Sequence, residues 1–285
     1  MRIYTLVTFL FVCLSVFSQE EFAIRATIVD ANSGKPVEYV NIGFEGKGIG
    51  TVSASNGSFF LKLNNTLISL ETDLVVSSIG YVTERIPFNE WKDWGEPGKY
   101  ILLQPETTTL DPVVIVAGKR EYERLGSETY SLSELGYWTE KDALGGELAS
   151  RIRIDNERTR LHDLKFHVIR NEADSIKLRI NIYRCENNMP GENILRTNIY
   201  HTIRKPKGIE IIPLKQHNIV VDNDIVVGIE MIESYGEELY LSVSATPFGG
   251  TAYLRERSQS NWDVRWNFGL AFGLLSSYPI TPSNP

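Results

Sequence analysis

The sequence predicts an all-β protein: a seven-stranded sandwich followed by a second antiparallel, jelly-roll-like β-sandwich. Three observations lead there. Short β-rich runs recur every eight to fifteen residues or so between Gly, Asn, Asp and Pro clusters. Several of those runs alternate apolar and polar residues with a period of two. No amphipathic helical stretch interrupts them in the first half. With 285 residues, 42% hydrophobic, the chain is long enough for two domains that each bury a core.

The N-terminus reads as an export signal. Met1-Arg2 precedes an almost unbroken apolar run from Ile3 to Phe17, short of the roughly twenty residues a membrane-spanning helix needs. Val16 and Ser18 are small enough for a signal-peptidase site, so cleavage is expected after Ser18. Removing residues 1–18 takes away Arg2 and Cys13. The formal charge then moves from -7 to -8 and one thiol is left, Cys185. That excludes an internal disulfide in the mature chain. No later stretch is apolar enough to span a membrane. The expected location is the periplasm, the outer-membrane surface or the cell surface. An acidic pI near 5.3 excludes nucleic acid as a partner.

The first domain is expected over 22–116. Ile24–Val29 opens it, and Asp30–Pro36 is a turn cluster. Val40, Ile42 and Phe44 alternate with Tyr39, Asn41 and Gly43. Asn56-Gly57 is a hairpin signal, because both residues tolerate positive φ. Ser58–Leu63, Leu74–Ser78, Thr83–Pro87, Tyr100–Leu103 and Val113–Val116 complete the strands. The polar, glycine-punctuated segment 117–146 reads as a linker leading into the second domain, expected over 147–279, with 280–285 a tail. There Ser175–Tyr183 is the cleanest strand. Its Ile176, Leu178, Ile180 and Ile182 should face a core, and Lys177, Arg179, Asn181 and Tyr183 should face outward. Ile199–Ile203, Ile209–Leu214, Ile225–Ile232, Leu239–Val243, Ala252–Arg255 and Phe268–Leu275 follow. Asn187–Gly191 and Asp222–Asp224 read as turns.

In order along the first domain stand Ile28-Val29-Asp30, Ser33-Gly34-Lys35-Pro36-Val37, Val40-Asn41-Ile42, Gly50-Thr51-Val52, Asn56-Gly57-Ser58-Phe59, Ser77–Tyr81 and Leu110–Val114. Together they resemble the carboxypeptidase-regulatory-like domain common in exported proteins of Bacteroidetes-type bacteria. The resemblance implies a transthyretin-like, seven-stranded sandwich. It implies no catalysis, since in zinc carboxypeptidases such a domain is an accessory. The second half, through Arg179–Tyr183, Ile219–Val221 and Ile225–Glu230, resembles uncharacterised exported proteins of the same two-part plan.

No catalytic constellation is visible. The four histidines, His162, His167, His201 and His217, are followed three positions on by Lys165, Arg170, Arg204 and Val220, so no His-x-x-Glu pair exists. Gly46–Thr51 lacks the Gly-Lys-Ser/Thr of a phosphate loop and reads as a family-typical loop. Asp222–Asp224 fits a turn better than a calcium loop, and no metal or cofactor is expected. Glu230 with Glu233, and Glu237 with Glu238, read as solvated carboxylates rather than paired acids. Arg151, Arg153, Arg158 and Arg160 interleave with Asp155, Glu157 and Asp163 around His162 and His167. That pattern reads as a salt-bridged strand pair rather than a metal or anion site.

Tyr253, Trp262 and Trp266, with Arg255, form the candidate ligand-binding set, since flat aromatics beside polar groups hold sugar rings. Trp91 and Trp94 are a lesser one. Asp174-Ser175-Ile176 resembles the O-glycosylation motif of Bacteroidetes-type exported proteins, making Ser175 a candidate acceptor. The expected function is a non-enzymatic cell-envelope protein that binds a glycan or an envelope protein. One alternative is an accessory of TonB-dependent uptake, partnered with an outer-membrane transporter. The other is a hydrolase with two carboxylates facing each other across a cleft beside Trp262 or Trp266.

Overall fold

The computed structural model describes residues 22–63, 71–106, 119–128, 134–141 and 143–280. The signal segment 1–18, the Leu110–Val116 segment and most of the tail lie outside the described residues. Within 22–106 seven strands form two sheets. β1 (Phe22–Asp30), β4 (Ser58–Leu63) and β7 (Tyr100–Leu103) make one; β2 (Asn41–Phe44), β3 (Ile49–Val52), β5 (Leu74–Ser77) and β6 (Glu84–Ile86) make the other. The seven differ in membership from those expected. Gly50-Thr51-Val52 pairs with β2 as a strand, while Val113–Val116 falls outside the described residues.

Period two places Ile24, Ala26 and Ile28 of β1 inward, with Ile24 opposite Leu61 and Ala26 opposite Phe59 of β4. Asn56-Gly57 forms a turn but not the expected hairpin, since β3 before it pairs with β2 and β4 after it pairs with β1 in the other sheet. Gly57 has φ 76, and Asn56 Oδ1 accepts the Ser58 N–H at 3.1 Å. A Cβ at Gly57 would lie 2.4 Å from the Ile28 carbonyl oxygen, so glycine is required there twice over. A one-turn helix, α1 (Phe88–Trp91), drops Trp91 into the core. That indole is fully buried, donates to Thr72 O at 2.9 Å and stands edge-on to Phe44 and Phe88. Trp91 therefore packs rather than offering a ligand surface.

The second half is a thirteen-stranded antiparallel assembly folded into two layers. One layer holds β10 (Glu147–Ile152), β12 (Ser175–Glu186), β13 (Met189–Asn193), β14 (Ile199–Ile203), β17 (Ile225–Tyr235) and β19 (Asp263–Leu270). The other holds β8 (Arg120–Gly126), β9 (Glu134–Trp138), β11 (Thr159–Asn171), β15 (Gly208–Pro213), β16 (Val220–Val221) and β20 (Gly273–Pro279). β18 (Leu241–Arg255) belongs to both. Its first residues pair with β11 and β9 and its last with β10. Bulges around Pro247–Thr251 turn that corner, the usual way a strand switches sheets. Residues 239–243 and 252–255, expected as two strands, are thus parts of one region around a single bent strand.

The segment expected as a linker also contributes. β8 pairs with β20 from Arg120↔Pro279 to Gly126↔Gly273, and β9 pairs with β18. β8 (REYERLG) has one buried apolar residue, Leu125, so its composition hides its role as an edge strand. The turn expected at Asn187–Gly191 is tighter. Asn187 and Asn188, both at positive φ, make it, and Met189–Asn193 runs back as β13.

Ile176, Leu178, Ile180 and Ile182 of β12 do enter the core, with Leu148, Val227, Ile229, Leu164 and Phe166. The opposite face of β12 departs from expectation. Arg179 and Asn181 are 1% and 2% exposed, because this face is covered on the side where the first sandwich docks.

Candidate functional site

Docking begins at Tyr39, which has φ 51. That left-handed backbone lets its carbonyl accept Arg179 Nη1 at 2.6 Å, while its ring meets Tyr200 edge-on. Lys177 Nζ donates to Tyr39 Oη at 2.6 Å, and Tyr39 Oη reaches Glu233 at 3.2 Å. Tyr39, Val52 and Ile232 form a small buried cluster between the sandwiches. Gln259 clamps a second point, accepting the Gly46 N–H at 2.9 Å and donating to Ser77 Oγ at 2.9 Å. Directly paired Gly43 and Gly50 leave space for the Ser258 carbonyl; a Cβ at Gly50 would stand 2.0 Å from it. The glycine-rich Gly46–Thr51 segment is thus part of the domain contact.

Under this joint four charged residues stand in one row across four strands. Arg179 of β12 faces Glu230 of β17, Glu230 faces Glu147 of β10, and Glu147 faces Arg255 of β18. Arg179 forks onto Glu230 with two bonds of 2.8 Å, and Arg255 Nη2 donates to Glu147 at 2.5 Å. Between the acids, Asn181 Nδ2 donates to both, at 3.0 Å and 2.8 Å, and Tyr183 Oη donates to Glu147 at 2.9 Å. Gly228, the neighbour of Glu147 on β17, has no side chain to obstruct it; a Cβ there would lie 2.0 Å from Glu147 Oε1.

The order cation, anion, anion, cation sets the electrostatics. Burial raises the Glu147 carboxyl to about 7, opposed by Arg255 and helped by the Glu230 charge. Burial also acts upward on Glu230, but the charge and fork bonds of Arg179 outweigh it and hold that carboxyl low. The row therefore keeps one firm carboxylate and one that titrates near neutrality.

Above Arg179, Asn181, Tyr183 and Arg255 lies a cleft of about 270 Å³ between the sandwiches. Asn41, Ser77–Gly80 and Glu106 form its other wall, and Glu192, Asn193 and Leu195 close one end. Three of the residues lining it carry a buried polar atom without a hydrogen-bond partner: Asn41 at Oδ1, Ser78 at Oγ and Arg255 at Nε. This volume lies just below the range of ligand sites, about 300 to 1,000 Å³. It suits one ring or one short side chain.

The sequence-derived site residues separate. Arg255 lines the cleft, with its guanidinium 4.8 Å above the Trp262 ring. Trp262 stands edge-on to Tyr183 and Tyr253, a support behind Arg255. Tyr253 is fully buried and donates to the Asn188 carbonyl at 2.8 Å. Trp266 is 60% exposed and away from the cleft lining. Ser175 is half-buried at the start of β12, paired with Tyr235. Asp224, in the turn considered for calcium, instead takes Arg151 and the Ile154 N–H. Among the described residues no three His, Cys, Asp or Glu side chains converge as a metal site.

Sequence reasoning passed over Glu147, took Arg179 and Asn181 as outward-facing, and took Glu230 as a solvated carboxylate, whereas all four are buried. The available signal was Glu230 itself, an acid inside the otherwise apolar run Ile225–Ile232. A charge there must be paired if the strand is covered on both faces.

Seven strands in two sheets and the turn at Asn56-Gly57 agree with the family-model match to this segment. Residues 24–115 carry a CarboxypepD_reg-like domain. The CarboxypepD_reg-like domain is a regulatory, non-catalytic, Ig-like fold, and here it supplies the Asn41 and Ser77–Gly80 wall of the cleft. No curated protein matches the chain. Among solved structures, the cysteine protease and lectin-like domains of Cwp84, a surface-layer-associated protein of Clostridium difficile, match at 9% identity and a TM-score of 0.36. That match covers 50% of this chain and 36% of that one. Infectious bursal disease virus, Gx strain, matches at 12% identity and a TM-score of 0.29, over 92% and 60% of the two chains. A DUF3823 family protein from Bacteroides uniformis matches at 10% identity and a TM-score of 0.18, over 92% and 100%. No described helix is long and apolar enough to cross a membrane.

Proposed function

We propose that the chain is a non-enzymatic binding protein of the cell envelope, exported by its N-terminal signal, and that the cleft between its sandwiches receives a sugar ring of a glycan. One observation carries this reading: three residues lining one small cleft, Asn41, Ser78 and Arg255, each hold a buried polar atom with no hydrogen-bond partner, at Oδ1, Oγ and Nε. Buried polar atoms are nearly always satisfied, so a cluster of orphans marks a place for a polar ligand. An amide oxygen, a hydroxyl and a guanidinium N–H offer the mixed accepting and donating that sugar hydroxyls use. Ile79 and Leu195 supply apolar contact for a ring face.

The paired acids do not favour hydrolysis. Glu147 and Glu230 lie side by side in one sheet, not across the cleft, and their oxygens are held by Arg179, Asn181, Tyr183 and Arg255. Acid and base roles need carboxyls that reach the bond being cleaved.

The test is a glycan array probed with the full mature chain, wild type against Asn41→Leu. The reading expects a defined set of glycans retained by the wild type and released by the variant, with no cleavage on prolonged incubation. Wild type that binds no glycan, or an Asn41→Leu variant that binds equally, would refute it.

A further inference from the structure

The arginine-rich run around His162 is salt-bridged in its first part. Arg151 and Arg153 are paired, with Asp224 and Asp155. Arg160 is different: its Nε is buried and has no hydrogen-bond partner. On the outer face of the layer containing β8, β20 and β11, Arg160 stands directly opposite Ser277, and Ser277 opposite Tyr122. Arg120 reaches into the same place. Its guanidinium donates to Ser277 Oγ at 3.0 Å, the Ser277 carbonyl at 2.6 Å and the Arg158 carbonyl at 2.8 Å. All three acceptors are neutral. His162 Nε2 meets the same Ser277 Oγ at 2.8 Å, and the Tyr122 ring stacks on the imidazole.

Strand alternation explains why the acids next to these cations in sequence do not neutralise them. Along β8, Arg120 and Tyr122 point to one face while Glu121 and Glu123 alternate to the other; Glu123 bonds Ser276, not Ser277. Among the described residues neither Arg120 nor Arg160 pairs with a carboxylate. The cations accordingly repel one another. Burial and then the Arg160 and Arg158 charges lower Arg120. His162 is lowered by burial, Lys215, Arg160 and Arg120, with Asp163 the one opposing acid. Positive charge gathered this way, in a chain of formal charge -7, is incomplete without a counter-charge.

We propose that this face is an oxyanion site, in which a phosphate or sulfate group sits over Arg120, Arg160 and His162, with Lys215 at its edge. Planar guanidinium groups present paired N–H donors matched to such oxygens. Ser277 anchors the Arg120 guanidinium and the His162 imidazole, and the stacked Tyr122 ring fixes the imidazole plane. The site is separate from the interdomain cleft and does not depend on what that cleft binds.

The experiment titrates the full mature chain with inorganic phosphate, following heat of binding and the His162 ring by NMR. Wild type should bind saturably, and bound phosphate should raise the His162 pKa, because an anion that prefers the charged ring must by linkage favour its protonation. Arg160→Gln and Arg120→Gln should weaken binding about tenfold or more, the loss of one charge-assisted bond. Lys215→Gln, a change at an exposed side chain that keeps the test valid if the arginine variants misfold, should weaken it several-fold. Arg153→Gln, whose partner is Asp155, should bind as wild type. A second arm uses phosphatidylcholine vesicles with and without phosphatidylglycerol. Sedimentation with the anionic vesicles, lost in Lys215→Gln, identifies a lipid phosphate as the source; phosphate binding without sedimentation identifies a soluble phosphate ester. Absence of binding in both arms, or equal weakening in Arg153→Gln, overturns the proposal.

Discussion

Replacing Arg179 by methionine tests the charged row most directly. The side chain is 2% exposed and its partner Glu230 is 0% exposed, so water cannot take over the lost bonds. The variant removes two fork bonds and the link to the Tyr39 carbonyl. Breaking one side of a buried ion pair costs about 3–5 kcal/mol, because a charge is left uncompensated. The abandoned Tyr39 acceptor adds about 1 kcal/mol. A loss of about 4–6 kcal/mol is a large share of the roughly 5–15 kcal/mol that holds a domain folded. Urea unfolding followed by tryptophan fluorescence would report it as a lower midpoint. The double variant Arg179→Met/Glu230→Gln discriminates the cause, since it removes the stranded charge and should recover about half of the loss. An Arg179→Met variant within about 1 kcal/mol of wild type would refute the reasoning, as would a double variant whose loss equals the sum of its singles.

Three further outcomes follow from the same geometry. Glu147 has its carboxyl raised from the ordinary 4.5 to about 7, so between those values the folded state binds more protons than the unfolded. Stability should therefore fall as pH rises through that window, by on the order of 3 kcal/mol, and Glu147→Gln should flatten the profile; urea midpoints from pH 4 to 8 decide it. Gly228→Ala places a methyl 2.0 Å from Glu147 Oε1 and should cost about 1–3 kcal/mol by overpacking, read as a drop in melting temperature. Trp91→Ala empties a fully buried position in the first sandwich and should cost about 3–5 kcal/mol, visible in calorimetry as a shift of that sandwich's transition.

What the sequence makes legible is whatever two-residue alternation and turn chemistry control. Asn56-Gly57 announces a turn through a glycine at positive φ, though not that β3 and β4 on its two sides go to different sheets, and Ile176–Ile182 announces a core-facing row. Alternation says that Arg179, Asn181 and Tyr183 share the other face, but not what lies against that face. Arg179 is covered by Tyr39, 140 positions away, and Tyr183 by Trp262, 79 positions on, contacts that no local pattern encodes. The four-residue row is hidden for a similar reason. Glu147, Arg179, Glu230 and Arg255 sit on four strands, and only register brings them into line. Composition fails at β8, whose single buried apolar residue gives an edge strand the look of a linker. In the candidate aromatic set only Arg255 lines the cleft, because Trp262 and Tyr253 spend their rings on packing.

The glycine window at Gly43 and Gly50 has a mechanical consequence. Backbone meets backbone there, with the Ser258 carbonyl seated where two side chains would otherwise project, and such a seat has no compliant side chain to stretch or rotate. A tug applied to one sandwich is therefore handed to the other with little slack. The joint is built as a stiff coupling rather than a hinge, and the cleft beside it is set at one width by backbone contact.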